Sequence, residues 1–370
     1  MKILHVITSL RTGGAEKLMV DLLPRLQKLG DSVDLLVFDG TETPFMQQLA
    51  SKGINIISLS RGGNVYNPLN IIRLARHLRD YQIIHTHNTA CQLFAPIARL
   101  ISGAKVQLIT TEHSTSNRRR GKWYLRPIDK WMYRQYVQII AISDKAGELL
   151  ACHIGRNDIK IIENGIDVQL YSQAAPINKE ILVPDYDNSD IIITMVAAFR
   201  VGKDQDTAIR ALNHLPDRFK LCLVGDGERR QQIEALIGSL NLSHRVRLLG
   251  VRSDVPSILR ASDIVVLASH WEGLSLSSVE GMASARPFIA SDVDGLREVV
   301  SGNGILFPDS DHRELANIIL RLKESPEFYN TVAQSCSQAA QRYDIATTAS
   351  NYSAIYHLIQ ASQTTKIAQR

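Results

Sequence analysis

Residues 264–282 read IVVLASHWEGLSLSSVEGM, in which an apolar run of strand length passes through a polar loop into a helical pattern. A buried strand followed by a loop and a helix is the repeating unit of a parallel α/β sheet. The junction of loop and helix presents free backbone N–H groups and the positive end of a helix dipole, which suits a diphosphate. Gly273 in the loop lets the backbone approach a ligand closely. The stretch therefore predicts an α/β sheet with an anion site at the end of one strand.

The same alternation of apolar runs and helical patterns extends along the whole chain, which predicts parallel sheets built from strand–helix–strand units. In the first half, strands are predicted at 3–8, 33–38, 55–59, 83–87, 107–111 and 137–142, and helices at 15–29, 68–79, 89–101 and 143–153. In the second half, strands are predicted at 191–198, 219–224, 246–249, 264–267, 288–291 and 305–307, and helices at 204–212, 228–240, 277–284 and 311–323.

A chain of 370 residues is too long for one ordinary α/β core and about right for two. The stretch 174–190 holds two prolines and several polar residues, which makes it the best candidate for a linker. We assign residues 1–170 to a first Rossmann-like domain, onto which a C-terminal helix at 345–370 is expected to pack, and residues 171–344 to a second. Open parallel sheets bind ligands at the carboxyl ends of their strands, so two such domains facing each other predict a cleft.

The composition, 45% hydrophobic and 21% charged, is typical of a globular protein. Its four cysteines are Cys91, Cys152, Cys222 and Cys336. They are scattered, with no CxxC pattern and no neighbouring histidine cluster, which predicts reduced thiols in a cytoplasmic protein and no zinc site. The first apolar run is too short for a signal peptide, and no window reaches the roughly 18 apolar residues of a membrane span. We expect a soluble cytoplasmic protein, or one that at most lies on the inner face of the cytoplasmic membrane.

The net charge of +5 is unevenly distributed, because residues 1–165 hold 22 Lys and Arg against 13 Asp and Glu, and the rest hold 20 against 24. This asymmetry indicates that the first half faces an anionic partner, either nucleic acid or an anionic membrane. Within it, Arg118–Arg134 interleaves basic residues with aromatic ones. Such a segment can bind single-stranded nucleic acid or lie at a lipid headgroup layer, and it can equally be an amphipathic core helix with a solvated basic side.

Two carboxylates mark the loop and helix of the first-quoted stretch. Glu280 follows Glu272 by eight residues and so lies about two turns into the helix. A carboxylate at that position can accept two hydrogen bonds from a ribose diol, and one in the loop can reach a sugar. The alternative is that Glu280 is a solvated helix residue and Glu272 a loop charge.

This stretch resembles the E-x7-E signature of glycosyltransferase family 4. Four further motifs carry the resemblance over nearly the whole chain: TGGAE at 12–16, TEHS at 111–114, NGID at 164–167 and GDG at 225–227. Each motif is weak alone, but their order and their placement at strand ends are specific together. The resemblance implies the GT-B fold, which is an α/β architecture of two Rossmann-like parallel-sheet domains facing across a cleft. It also implies sugar transfer from a nucleotide sugar with retention of anomeric configuration.

The resemblance assigns the donor-binding residues by position. It implies that Glu280 binds the donor ribose and that Glu272 binds the hydroxyls of the donor sugar. The backbone of Leu274 and Ser275, beside Gly273, is implied to hold the distal phosphate. These roles place the donor in the second domain and leave the first domain to bind the acceptor.

The remaining implied site residues are more scattered along the chain. Gly14 is implied to touch the diphosphate or the acceptor, and His113 resembles the family's active-site histidine near C6 of the donor sugar. Family members neutralise the donor phosphates with an arginine and a lysine about five residues apart. Lys203 fits this pattern, whereas Arg200 lies only three residues before it. Family members also have glycine where this chain has Ala285, which predicts an altered helix C-cap.

Two D-x-D strings, at 185–187 and 204–206, could suggest a metal site of another glycosyltransferase fold. The first lies in the predicted linker and the second at a predicted helix start, so we expect no metal and no other cofactor. Basic groups can stabilise a leaving nucleoside diphosphate without a metal. Gly225 and Gly227 could begin a dinucleotide fingerprint, but Arg230 occupies the position of a third small residue, which disfavours a nicotinamide enzyme.

The sequence thus predicts a hexosyltransferase that moves a hexose or N-acetylhexosamine from a nucleotide sugar, expected to be UDP-linked, to a glycan acceptor. We expect a lipid-linked acceptor in surface polysaccharide assembly. Nucleic acid ranks last among the partners considered. The alternatives are a GT-B-like nucleotide-sugar enzyme without an acceptor, such as an epimerase, and an inactive binding partner that keeps the fold. The basic, aromatic segment disfavours the first alternative. The second alternative is disfavoured because the chain has all four polar site residues, namely His113, Lys203, Glu272 and Glu280.

Overall fold

The structure, a computed structural model, describes residues 1–11, 13–113, 122–183 and 186–368, and the side chains among them up to Ser362. It divides into two compact units. The first contains Met1–Gly165 together with Ile345–Arg370, and the second contains Ile166–Asp344.

The first unit is built on a seven-stranded parallel sheet with the order β3-β2-β1-β4-β5-β6-β7. The strands are β1 (Lys2–Ile7), β2 (Ser32–Asp39), β3 (Asn55–Ser60), β4 (Ile83–His87), β5 (Gln107–Glu112), β6 (Gln138–Ala141) and β7 (Ile159–Ile161). The order of connection reverses between β1 and β4, which is the position where open α/β sheets bind ligands.

Six helices follow these strands: α1 (Gly14–Lys28), α2 (Pro44–Ser51), α3 (Leu69–Ala75), α4 (Thr89–Ser102), α5 (Arg126–Arg134) and α6 (Asp144–Ile154). Side chains alternate between the two faces of a strand, and the sheet separates two apolar clusters accordingly. In β1, Ile3 and Ile7 join α1 and α2 on one face, whereas Leu4 and Val6 join α3, α4, α5 and α6 on the other.

The second unit is a six-stranded parallel sheet with the order β10-β9-β8-β11-β12-β13. Its strands are β8 (Ile191–Val196), β9 (Phe219–Val224), β10 (Val246–Gly250), β11 (Ile264–Leu267), β12 (Phe288–Ser291) and β13 (Ile305–Phe307). Its helices are α7 (Val168–Gln173), α8 (Lys179–Leu182), α9 (Gln205–Ala211), α10 (Arg230–Ser239), α11 (Val255–Ala261), α12 (Leu276–Ala283), α13 (Arg297–Val300), α14 (His312–Glu324) and α15 (Pro326–Ala340).

The last helix, α16 (Ile345–Ala368), returns to the first unit. Its residues Ile345, Ala349, Tyr352 and Tyr356 are buried in the same cluster as α1. Ser353 also donates a hydrogen bond of 2.7 Å to the buried carboxylate of Asp31. The helix therefore covers the α1 face of the first sheet.

The predicted fold class is confirmed, because both halves of the chain are Rossmann-like parallel sheets flanked by helices. The strand β7 was not predicted. The linker prediction for 174–190 was wrong: Leu182 and Val183 are buried against Ile192 and Cys222 of the second sheet. Residues 184 and 185 of that stretch, and with them Asp185 of the first D-x-D string, lie outside the described residues.

Candidate active site

The carboxylate of Glu272 lies at the centre of a polar cluster beyond β11. Its Oε1 accepts hydrogen bonds from Ser269 Oγ at 2.7 Å and from Lys203 Nζ at 2.5 Å. Only 9% of the Glu272 side chain is exposed, against 27% of the Lys203 side chain. Glu272 is therefore an oriented carboxylate beside a cation and not a freely solvated loop charge.

Lys203 is held by a 3₁₀ turn, Val201–Lys203, that follows β8. The turn begins at Arg200, whose carbonyl accepts a hydrogen bond from Lys203 N at 3.0 Å, and the Arg200 side chain is exposed. The backbone of this turn also meets the loop after β11, because His270 N donates to the carbonyl of Gly202 at 3.0 Å. The structure thus places two cationic residues in one turn beside the Glu272 loop.

A glycine outside the quoted stretch fixes the backbone of the Glu272 loop. Gly295 has a φ of +84°, and a Cβ there would lie 2.2 Å from the carbonyl oxygen of Gly273 and 2.4 Å from that of Glu272. Any side chain at 295 would therefore displace the loop. Glu272 N additionally donates to the carbonyl of Asp294 at 3.3 Å.

Helix α12 starts directly after this loop, with Ser275 as its N-cap residue. The Ser275 carbonyl accepts hydrogen bonds from Ser278 N at 3.2 Å and from Ser278 Oγ at 2.7 Å. The free N–H groups of the first turn, adjoining Leu274 and Ser275, are the kind of donors that bind phosphate oxygens. Phosphate binding at these two residues stays a prediction.

Glu280 lies on the same helix and is 8% exposed. Tyr171 of α7 donates its phenolic hydrogen to Glu280 Oε1 at 2.6 Å, in a buried contact. This partner was missed from the sequence, since it lies 109 residues away and no local pattern marks it. The burial of Glu280 excludes the alternative of a solvated helix residue.

The second D-x-D string serves the helix that it begins. Asp204 is the N-cap residue of α9 and accepts hydrogen bonds from the backbone N–H and the side-chain hydroxyl of Thr207. Asp206 forms an ion pair with Arg229 at 2.9 Å. Asp204 also lies near His270, whose Nδ1 is 2.9 Å from Asp309. One atom each of Asp204, His270 and Asp309 could approach a shared ion. Asp204, however, already accepts hydrogen bonds from Thr207, and His270 is already paired with Asp309.

In the first unit, the loop after β1 leads into α1 at Gly14. A Cβ at Gly13 would lie 2.2 Å from the carboxylate of Glu16, so this glycine lets Glu16 fold back over the loop. Burial raises the pKa of Glu16, and Asn88 Nδ2 contacts its carboxylate at 3.5 Å. Gly14 therefore begins a 15-residue helix at the switch point of the sheet. Thr12 of the predicted motif lies outside the described residues.

His113 directly follows β5, and its ring contacts the ring of a second histidine. His113 Nε2 lies 2.8 Å from Nδ1 of His87, the last residue of β4. Burial lowers the pKa of His113 to about 4, so the ring is neutral at physiological pH. His87 was not predicted as a site residue, although the string IHTH at 84–87 puts His85 and His87 on one face of a strand.

The basic, aromatic segment is only partly described, because Arg118, Arg119 and Arg120 lie outside the described residues. In its described part, Trp123 is 84% exposed and Trp131 38% exposed. The inner side of α5 is buried, and Tyr133 there donates to Glu112 Oε2 at 2.8 Å. None of the helices in the described part of the chain has the length and apolar character needed to cross a bilayer.

Comparisons with known proteins match this arrangement over both units. The family model "Glycosyltransferase Family 4" matches residues 12–170, and "Glycosyl transferases group 1" matches residues 179–342. The Bacillus subtilis glycosyltransferase EpsF is 27% identical over 308 residues, which are 79% of each chain. An Escherichia coli UDP-Gal:alpha-D-GlcNAc-diphosphoundecaprenol alpha-1,3-galactosyltransferase is 26% identical over 274 residues, 69% of this chain and 70% of that protein.

Among solved structures, Anabaena HepE in complex with UDP-glucose superposes with a TM-score of 0.81 at 24% identity, covering 98% of this chain and 100% of that one. The fold and the family matches together define the protein as a glycosyltransferase of the GT-B class. Within that class it belongs to the family 4-like glycosyltransferases.

Proposed function

We propose that the protein transfers a hexose or N-acetylhexosamine from a UDP-sugar to a lipid-linked glycan, with retention of configuration, in surface polysaccharide assembly. The observation that carries the proposal is the cluster of Lys203, Ser269 and Glu272 beside the start of α12, with buried Glu280 on the same helix. A relative is named for UDP-Gal and a diphosphoundecaprenol-linked sugar, and HepE was solved with UDP-glucose.

The second unit is the donor side of this proposal. Glu280 accepts hydrogen bonds from the ribose, and the backbone at Gly273, Leu274 and Ser275 binds the distal phosphate. Glu272 accepts hydrogen bonds from hydroxyls of the donor sugar. A carboxylate already fixed by Ser269 needs little reordering to do so, which favours tight and specific recognition.

The two cations of the 200–203 turn complete the donor side. In the structure Lys203 pairs with Glu272, and an arriving diphosphate offers it a second, more strongly charged partner. Arg200 is exposed and able to reach a phosphate in the same way. Together with the start of α12, these groups stabilise the negative charge that develops on the leaving UDP, a role that a metal ion fills elsewhere.

The first unit is the acceptor side, with His113 and Gly14 as its site residues. Its charge supports a membrane-associated acceptor. Residues 73–134 hold twelve Lys and Arg against three Asp and Glu, which equals the whole excess of +9 in residues 1–165. Such a concentration is complementary to anionic phospholipid headgroups.

Exposed apolar side chains lie on α3, α4 and α5 and on the 3₁₀ turn Trp123–Leu125 that precedes α5, and we call this set the α3–α5 surface. Its members are Leu69, Ile72, Leu100, Ile101, Trp123, Tyr124, Ile128 and Trp131. Their exposed fractions range from 38% to 84%, so the apolar area is presented to solvent and not shielded. Exposed aromatic residues beside basic ones are typical of surfaces that lie at a membrane interface. We assign this surface to reversible contact with an anionic membrane that carries the acceptor.

The test is an activity assay with a panel of nucleotide sugars, in the presence and absence of a polyprenyl-diphosphate-linked sugar. We expect slow hydrolysis of a UDP-sugar, faster transfer with the lipid acceptor, and an NMR coupling that reports the same anomeric configuration in donor and product. Both rates are expected to persist in EDTA. Inversion of configuration, or full loss in EDTA with recovery by Mg²⁺ or Mn²⁺, would contradict the proposed mechanism.

A further inference from the structure

Four imidazole rings are connected inside the first unit, three of them by direct hydrogen bonds and the fourth, His85, through a tyrosine hydroxyl. His113 Nε2 contacts His87 Nδ1 at 2.8 Å, and His87 Nε2 contacts His5 Nδ1 at 3.0 Å. The His5 and His87 rings lie nearly parallel, at an angle of 8°. His5 and His87 are completely buried on the face of the sheet that α1 and α16 cover.

The chain of contacts continues into α16. The Tyr356 hydroxyl lies 3.4 Å from His5 Nε2 and 2.7 Å from His85 Nδ1. His85 Nε2 contacts Thr111 Oγ1 at 2.8 Å, and Thr111 Oγ1 contacts the Tyr352 hydroxyl at 3.1 Å. Seven side chains thus form one unbranched relay: Tyr352, Thr111, His85, Tyr356, His5, His87 and His113.

The rings of this relay are neutral. Burial lowers the pKa of His5 to about 3 and that of His113 to about 4, and it lowers those of His85 and His87 far below their usual value. Burial also raises the pKa values of the Tyr352 and Tyr356 hydroxyls, so both keep their protons. A neutral imidazole has one N–H donor and one acceptor nitrogen. The tautomer of each ring therefore determines that of its neighbour.

The two ends of the relay decide its direction. Tyr352 has a phenolic proton, and Thr111 is the hydrogen-bond partner that the described residues provide for its hydroxyl. If the relay ran the other way, this buried proton would be left without an acceptor there, which costs the full desolvation penalty of an unpaired donor. With Tyr352 as the first donor, each group accepts one hydrogen bond and donates the next, and all four rings are protonated at Nδ1.

His113 Nδ1 is the last atom of the relay. It is buried and has no hydrogen-bond partner among the residues that the structure describes. We propose that the relay fixes His113 as the neutral Nδ1–H tautomer and that this N–H is the donor offered to an oxygen of the sugar substrate. Tyr356, His5 and His87 are then positioning residues for His113. The second half of this proposal rests on the placement of His113 in the active site.

A shared metal ion is the competing explanation for the buried histidines, since one nitrogen each of His5, His85 and His87 lies within 4.8 Å of the others. Both nitrogens of each of these rings already have a hydrogen-bond partner in the relay. Metal binding would have to break several of these contacts at once. The relay accounts for the same atoms without breaking any.

The test is ¹⁵N NMR of the full chain labelled at histidine, which distinguishes Nδ1–H from Nε2–H rings and from imidazolium. We expect four buried rings in the Nδ1–H form near neutral pH. Tyr356→Phe removes the hydroxyl between His5 and His85, and we expect His113 to populate both tautomers and kcat/KM for donor hydrolysis to fall about tenfold. Tyr352→Phe, which removes only the first donor, is expected to act in the same direction with less disturbance of packing.

Tyr136→Phe is the matched control. Tyr136 is a buried tyrosine of the same unit whose hydroxyl donates to the carbonyl of Gln92 at 2.7 Å, but it lies on the opposite face of the sheet. It is expected to leave the His113 tautomer and the activity of the folded protein unchanged. Nε2–H, mixed or charged rings in the wild type would overturn the relay whatever the activity. The expected NMR pattern with unchanged hydrolysis in Tyr356→Phe would instead overturn the role of His113 at the sugar.

Discussion

At the scale of single residues, Glu280 is a strongly constrained member of the proposed donor site. Its carboxylate is buried and one oxygen accepts a hydrogen bond from Tyr171. A carboxylate held this way can bind a ribose diol without first being ordered, so its removal costs both the hydrogen bonds and the preorganisation. In the proposed donor site Tyr171 is a positioning residue for Glu280, although nothing in its local sequence indicates this.

Glu280→Ala is therefore expected to weaken UDP binding by roughly two orders of magnitude or more, because two hydrogen bonds to a charged acceptor are lost and each contributes roughly 1.5–3 kcal/mol. Tyr171→Phe is expected to have a smaller effect in the same direction. Isothermal titration calorimetry with UDP measures both. Glu324→Ala, a change to an exposed carboxylate on α14 of the same unit, serves as the control. Unchanged affinity in a folded Glu280→Ala protein would remove Glu280 from the ribose site.

The neutral histidines also make a prediction about acid stability. Below the unfolded pKa near 6.5, the unfolded chain binds protons that the folded first unit does not, down to about pH 4 for His113 and about pH 3 for His5. Stability therefore falls as the pH falls through this window, by about 1.4 kcal/mol per pH unit for each neutral histidine. Hydrogen exchange of β1 and β4 peptides at pH 6.5 and 5 measures the effect. A flat pH dependence would show that the rings are charged in the folded protein.

At the scale of elements, Ala285 is a place where this sequence strains its own backbone. It follows the C-cap residue of α12, Ser284, with a φ of +56°, in the left-handed region that favours glycine. The left-handed conformation costs a residue with a Cβ roughly 1–2 kcal/mol. Ala285, at which this chain differs from the family pattern, thus lies directly after a helix C-cap, as the sequence predicted.

Ala285→Gly is expected to raise the free energy of unfolding of the second unit by about 1 kcal/mol, less than the full strain because glycine also gains freedom in the unfolded chain. Urea unfolding of the purified variant measures the change. Ala283→Gly is the control, since Ala283 is the buried last residue of α12, where glycine is expected to destabilise by roughly 0.5–1 kcal/mol relative to alanine. Destabilisation by both changes would mean that the 285 backbone is not strained in solution.

Most strands were predictable because each is a short apolar run between helical patterns, and five predicted ranges coincide with the observed strands β4, β9, β11, β12 and β13. The strand β7 was missed because it is only three residues long and partly exposed. The stretch 174–190 was misassigned for the opposite reason. Its prolines and polar residues indicate a linker, whereas the burial of Leu182 and Val183 depends on tertiary packing.

The site was less predictable than the fold, for a reason that the Lys203–Glu272 pair makes plain. Residue type and motif order nominated both side chains, but their contact joins positions 69 residues apart. Likewise, the string at 84–87 places two histidines on one face of β4, but only the folded unit brings His5 and Tyr356 to them. Local patterns identify candidate groups, and tertiary contacts decide which groups act together.

At the scale of the whole molecule, the charge distribution leads to a prediction about membranes. Near an anionic surface each Lys or Arg contributes about 1 kcal/mol, and exposed rings such as Trp123 and Trp131 add interfacial burial. The protein is expected to co-sediment with phosphatidylserine-containing vesicles at low salt and not with neutral vesicles. The attraction should weaken with added salt, because the Debye length shrinks from about 10 Å at 0.1 M to about 3 Å at 1 M.

Replacing Arg118, Arg119 and Arg120 with serine is expected to reduce vesicle binding strongly while leaving hydrolysis of the donor unchanged, since none of the three is among the proposed site residues. Replacing Arg313, Lys323 and Arg342 with serine removes the same charge from the second unit and is the matched control. If both triple variants lose binding equally, net charge and not the basic, aromatic segment drives the association. If the wild-type protein ignores anionic vesicles at low salt, this surface is only a solvated helix face, and a soluble acceptor replaces the lipid-linked one.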